Sequence, residues 1–309
     1  MSSAARWSSA VSLIRLEGAD ARRFLHGQSS QAIEQARPGD CLATCLISPT
    51  ARMRGLALVL VDEGGAELVL LAGDAAAIHQ ALDRVLFPAD QVRLEPPQPA
   101  TLVRLLGSTP PPSAPGTGQL LHPAVDLGGG AGQPVLLLRS GEALPTWAEA
   151  LPELPPLEAE RRRLRHGIPA APGELNDDTN PFELGLAPWV SLSKGCYVGQ
   201  ETLAKLASTG GVKQQVRHWS WRADAAGTAG PAAAEALGPG TPLRTTEGER
   251  AGSITSVLRT PEGAEGLALV RRQALGEAQL LAGDDDLLLE IQVPAGFVEP
   301  PAAAAKPAL

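Results

Sequence analysis

The spacing of apolar and polar positions divides the chain into elements before any other property is considered. VSLIRL (11–16) alternates with the period of two that turns one strand face toward a core. GADARRFLHGQ then shows helical spacing after Gly18, with Asp20 placed as an N-cap. CLATCLI (41–47), GLALVLV (55–61) and AELVLLAG (66–73) are strand-like runs joined by turn-rich segments, the pattern of an antiparallel sheet. Asp74 is placed to cap a helix, DAAAIHQALDRVLF, after which QVRLEP and TLVRLLG resume the strand pattern. This order of strand, helix, strands, helix, strands predicts an α+β region over 1–215, not a doubly wound one.

Residues 107–134 are rich in Pro, Gly and Ser and predict a long loop. Their GGGAGQ is a poor phosphate loop, because it leads into the strand PVLLLRS and not into a helix. Helical patterns return at 143–166 and stop at Gly167 and Pro169. VRHWSWRA, TPLRTT, GSITSVLR, GLALVRR and LLLEIQV then predict a small all-β unit over 216–298. The Ala/Pro-rich stretch 299–309 is expected to be disordered.

Composition narrows the function classes. With 309 residues, 44% hydrophobic and 19% charged, the chain is long and apolar enough for an enzyme-sized globular protein. No apolar run approaches the roughly 18 residues of a membrane span, so no membrane partner is expected. A net charge of -8 argues against broad capture of nucleic acid, which needs clustered Lys and Arg. The one dense basic run, RRRLR (161–165), is read as a solvated helix face. Three cysteines make no disulfide framework, which fits a reducing compartment. The N-terminus lacks a secretory h-region, so the expectation is cytoplasmic, with the mitochondrial matrix as the alternative.

Cys41 and Cys45 share a strand face with Ala43 and Ile47 and are read as buried small hydrophobes. The five histidines show no ligand spacing, and no metal site is predicted. Cys196 stands in different surroundings, in SKGCYVGQET (193–202). QETLAKLAS has good helix formers, so Gly199 and Gln200 are expected to open a helix with partial positive charge at its start. Lys194, two residues before the thiol, falls on the same side of an extended stretch, and both features would lower a thiol pKa. A turn that merely buries Cys196 weighs equally on these residues, since exposure decides the matter.

KGCYVGQE (194–201) resembles the signature Lys-Gly-Cys-Tyr-x-Gly-Gln-Glu of the YgfZ proteins, folate-binding relatives of the glycine cleavage aminomethyltransferase (T-protein), at all seven fixed positions. LEGADARRFLHGQ (16–28), SPTARM (48–53), RLRHGIP (163–169), GSITS and GLALVRR are similar to further elements of that family in the same order. The resemblance implies a GcvT-like fold: a cloverleaf of α+β subdomains closed by a C-terminal β-barrel, with tetrahydrofolate or a derivative bound by the 1–215 region. It implies an accessory role in assembling or repairing iron–sulfur enzymes, tRNA-modifying ones included, with those enzymes or assembly proteins as partners. It carries the motif roles to Lys194, Gly195, Cys196, Tyr197, Gly199, Gln200 and Glu201, with Cys196 the functional thiol. TNPFELGL (179–186) is similar to the T-protein segment whose glutamate contacts the pterin, which makes Glu183 the candidate for that contact; Gln28, Arg52 and Lys205 are the other candidate folate residues.

Departures from the pattern narrow what is implied. The T-protein's catalytic aspartate follows its first hairpin turn, and ARMRGLALV holds no acid there. Its loss removes the main group for positioning and protonating folate, so a tetrahydrofolate-dependent aminomethyltransferase is the second reading. A usual aspartate is Ala32, the hairpin glycine is Ala51, and a commonly acidic position before Gly167 is Arg165. Arginines of the family stand here as Lys205, Thr209 and Gln214, which weakens the case for a polyanion site. A folate-independent scaffold is therefore the third reading.

Overall fold

A computed structural model describes residues 4–108, 110, 118–209, 211–222 and 235–299; beyond Glu299 the expected tail lies outside them. The chain divides into two compact units, Met1–Pro155 with Pro188–Ala204, and Pro156–Ala187 with Lys205–Leu309.

In the first unit the alternating runs become β1 (Ala5–Glu17), β2 (Cys41–Ile47), β3 (Met53–Asp62), β4 (Gly65–Gly73), β5 (Arg93–Leu94), β6 (Gln98–Leu106), β7 (Gln119–Leu121) and β8 (Val135–Arg139). They form one antiparallel sheet in the order β2, β3, β4, β1, β6, β8, β7, with β5 added to β1. Its register places apolar residues opposite one another: Ile14 faces Leu68, Leu16 faces Ala66, and Val59 faces Leu68 from the other side. Helices α1 (Ala21–Gln28) and α2 (Ala75–Asp83) cover that face through Leu25, Ile78 and Leu82. Each large aliphatic side chain buried here contributes about 1.5–3 kcal/mol.

Asp74 caps α2, its Oδ1 accepting from the amides of Ala76 (2.9 Å) and Ala77 (3.0 Å). Asp20 stands at the start of α1 without capping it; its Oδ2 accepts from Gln91 N at 3.1 Å. Helix α2 stops at Asp83 and does not run on to Phe87, because the residue before Pro88 is kept out of helical geometry. The segment read as a loop over 107–134 contains β7, which pairs with β8. In GGGAGQ the amides of Gly128 and Gly130 are taken by Asp126 Oδ1. The helical pattern of 143–166 forms two helices, α3 (Thr146–Glu149) and α4 (Pro156–His166), since the intervening prolines lack the donors a continuous helix needs.

The second unit holds α4 and a closed barrel. Strands β9 (Gln214–Arg222), β10 (Pro242–Arg244), β11 (Arg250–Thr260), β12 (Gly263–Arg271), β13 (Gln279–Ala282) and β14 (Leu287–Gln292) close in the order β10, β11, β12, β9, β14, β13. Trp219, Leu243, Ile254, Leu280 and Leu289 fill its core. The basic run of α4 is not a plain solvated face. Arg161 and Arg165 both reach Glu265 of β12 (Nε to carboxylate 2.8 and 2.9 Å), and Arg163 chelates Glu160.

Candidate functional site

Three pieces of the first unit converge on the motif: the end of α1, the β2–β3 hairpin, and the turn over 194–199 that leads into α5 (Gln200–Ser208). The turn is fixed at both ends by α1. At one end Lys194 and His26 bond reciprocally, the Lys194 ammonium donating to His26 O and His26 Nε2 lying 3.1 Å from Lys194 O. At the other, Val198 N donates to Gly27 O at 3.0 Å. Between these anchors Gly195 and Cys196 are exposed, and Tyr197 is buried. The equal weighting of a presented and a packed thiol is thus resolved in geometry: Cys196 faces outward. Cys45 is fully buried and Cys41 half-buried, and burial pushes the Cys41 thiol up to about 12.

The hairpin supports the turn from its other side. A Cβ on Gly199 would lie 2.8 Å from both Ser48 O and Ile47 Cδ1 and 3.2 Å from Ala51 Cα, and Gly199 sits at φ +82°. Ala51 itself has φ +60° and is fully buried, which explains why the resembled family places glycine at the hairpin position. Arg52 is half-buried on this hairpin, its backbone paired with Ser48 in both directions. Gln28, also half-buried, closes α1 one residue after Gly27. Gln200 N bonds Tyr197 O at 3.2 Å, and Glu201 occupies the first turn of α5, where a carboxylate complements the helix dipole.

The lysine does not serve the thiol as expected. Gly195, at φ +101°, breaks the extended parity that would align residues 194 and 196. Lys194 turns inward, 8% exposed, with its Nζ 4.5 Å from the centroid of the Tyr197 ring. Burial pushes the ammonium down to about 8 and the Tyr197 phenol, whose hydroxyl has no hydrogen-bond partner among the described residues, up to about 12. A lysine depressed in the folded state penalises folding at neutral pH, and the penalty is relieved as pH rises from about 8 toward the unfolded value of 10.5. Lys194→Met keeps the stem but removes the charge along with its bond to His26 O, and with it the pH-dependent part of this stability. Urea titrations at pH 7 and 9.5 should show stability rising with pH in wild type and flat in the variant; an equal rise in both contradicts the assignment.

The remaining candidates belong to the second unit. Glu183 is 5% exposed, and its Oε2 accepts from Asn180 N at 3.0 Å. Asn180 Oδ1 accepts in return from the amides of Phe182 (3.0 Å) and Glu183 (3.1 Å), and Glu183 O accepts from Val216 N at 2.7 Å. This closed turn fixes the orientation of the carboxylate. Lys205 is exposed in the last turn of α5, where its carbonyl accepts from Thr209. His26 escaped sequence reasoning because a histidine in FLHGQ carries no spacing signal; its partner in the turn, Lys194, lies 168 residues away.

No family model matches the chain. A chloroplastic protein of Arabidopsis thaliana named as a putative transferase is 26% identical over 307 residues, covering 89% of this chain. The chain spans 66% of that relative's length. Among solved structures, the glycine cleavage system aminomethyltransferase T of Bartonella henselae superposes with a TM-score of 0.71 at 16% identity, covering 97% of this chain and 87% of that one. The eight-stranded sheet with its covering helices and the closed six-stranded barrel are therefore the α+β architecture of the glycine cleavage aminomethyltransferases, the fold class that the resemblance implies.

Proposed function

We propose that the chain is a folate-binding accessory protein that supports iron–sulfur cluster assembly or repair in target enzymes, tRNA-modifying ones among them, with Cys196 as its working thiol. The observation that carries this reading is the turn itself: KGCYVGQE is held at both ends by α1, and its cysteine is exposed between buried Lys194 and Tyr197. Such a frame is built to present one sulfur. The donor set fits a reduced folate: Glu183 is a buried carboxylate oriented by Asn180 N–H, and a carboxylate can accept paired hydrogen bonds from the amino and ring N–H groups of a pterin. Gln28, Arg52 and Lys205 are the proposed supporting contacts, and the folate would supply a one-carbon carrier when bound. Three free cysteines suit a reducing compartment such as the cytoplasm.

Two measurements test this. Cys196→Ala, at an exposed position, should leave the melting temperature within about 1 °C and fail to restore iron–sulfur enzyme activity in cells lacking the protein; full restoration ends the role given to the thiol. Titration with reduced folates should give saturable binding that weakens at least tenfold in Glu183→Ala, about 1.4 kcal/mol. Equal binding by the variant removes Glu183 from the site.

The shared fold with an aminomethyltransferase favours a second reading, transfer of an aminomethyl-derived carbon to tetrahydrofolate. The missing acid in ARMRGLALV opposes it. Methylenetetrahydrofolate formed from an aminomethylated carrier protein would establish it.

A further inference from the structure

We infer that His26 is the positioning residue of the Cys196 turn: as a neutral imidazole its Nε2–H ties the turn to α1 at Lys194 O while its bare Nδ1 accepts from Glu34 N, and uptake of a second proton at Nδ1 releases the Glu34 bond. The inference rests on Cys196 being the working thiol. His26 is 6% exposed, and each ring nitrogen has one partner. Nδ1 lies 3.2 Å from Glu34 N, a group that can only donate, so Nδ1 carries no proton. Nε2 lies 3.1 Å from Lys194 O, a group that can only accept, so Nε2 carries the proton. The two contacts together specify one tautomer and one charge state.

Position gives this ring its leverage. His26 binds the turn at Lys194 and the next residue, Gly27, binds it at Val198, so Gly195, Cys196 and Tyr197 form a three-residue arch standing on adjacent residues of one helix. The ionisable groups acting on the ring are the Lys194 ammonium, from the turn, and Glu34, from the segment after α1. A second proton would have to enter at Nδ1. It would abolish the bond from Glu34 N and place a buried cation beside the Lys194 ammonium. Burial first, and Lys194 second, accordingly hold the imidazole below its ordinary value of 6.5. The sign follows: the bond from Glu34 N is intact at neutral pH and is lost as pH falls below 6.5 through the folded value, while the Nε2–H bond to Lys194 O survives.

The test reads the turn directly. In wild type, nitrogen and carbon NMR shifts should report the Nε2–H tautomer at pH 7.5 and a midpoint below 6.5. The exchange protection factor of the Glu34 amide should fall at least tenfold with that same midpoint. His26→Gln can still donate from its own Nε2 to Lys194 O but does not titrate, and should retain Val198 protection with no step between pH 5 and 7. His26→Leu should lower the protection at every pH. An Nδ1–H tautomer, Glu34 amide protection that ignores the His26 titration, or unchanged Val198 protection in His26→Leu overturns the inference. Because these readouts concern the turn and not its biological output, a Cys196→Ala variant that restores iron–sulfur activity would end the functional reading and leave this measurement standing.

Discussion

Gly199→Ala is expected to lower the unfolding free energy by about 2–6 kcal/mol and to detach the motif turn from its hairpin. Two independent terms add. The backbone at φ +82° costs an alanine about 1–3 kcal/mol, since a Cβ in the left-handed region crowds the following carbonyl. The new methyl would also lie 2.8 Å from Ser48 O and Ile47 Cδ1 and 3.2 Å from Ala51 Cα. Ser48 O already accepts from Ala51 N in the hairpin, and Ala51 is fully buried, so neither can retreat cheaply. Overpacking of this kind adds about 1–3 kcal/mol.

Gly195→Ala provides the control. Gly195 has φ +101° but no atom within 4 Å of a built Cβ, so only the backbone term applies, about 1–3 kcal/mol. Urea unfolding of the two variants separates conformation from packing. If Gly199→Ala is no worse than Gly195→Ala, the hairpin does not hold the turn.

These two glycines also mark how far the sequence could be read. Strands β2, β3 and β4 were legible because each is a continuous apolar run of strand length bounded by turn-rich segments. The start of α5 was legible because Gly199 and Gln200 precede an unbroken stretch of helix formers. Strand β13 was not, since QLLA is too short to show a period. Asp20 has the right residue type and place for a cap, but its carboxylate found Gln91 N, a partner 71 residues away. The inward turn of Lys194 was illegible for a local reason, the positive φ of Gly195, while the clasp of Arg161 and Arg165 on Glu265 was illegible for a global one. Exposure of Cys196 depends on both kinds of information, which is why spacing alone left it undecided.

Glu174→Ala in the second unit carries the other large effect, an expected loss of about 3–5 kcal/mol. Its side chain is fully buried, and every oxygen is in use. Oε1 accepts from Thr255 Oγ1 (2.5 Å) and Ser256 Oγ (2.7 Å) of β11, Oε2 accepts from Ala170 N (3.0 Å), and Arg163 Nη1 stands 3.7 Å from Oε2. Thr179 Oγ1 donates to Glu174 O at 2.6 Å, one residue before the Asn180–Glu183 turn. Truncation would strand two hydroxyls and one amide in a site where each unsatisfied donor costs about 1–3 kcal/mol, whereas Arg163 keeps Glu160 and Ile168 O. Glu174→Gln keeps the shape and one acceptor oxygen, so its expected loss is smaller, about 1–3 kcal/mol. The same carboxylate pins the segment that orients Glu183 to the barrel, so folate affinity should fall in Glu174→Ala with Glu183 itself unchanged. Urea unfolding and folate titration on the two variants measure both effects. A Glu174→Ala protein within about 1 kcal/mol of wild type would show that the segment over 170–183 is held by its packing on β11, including the close approach of Gly173 to Thr255 O, and not by the carboxylate.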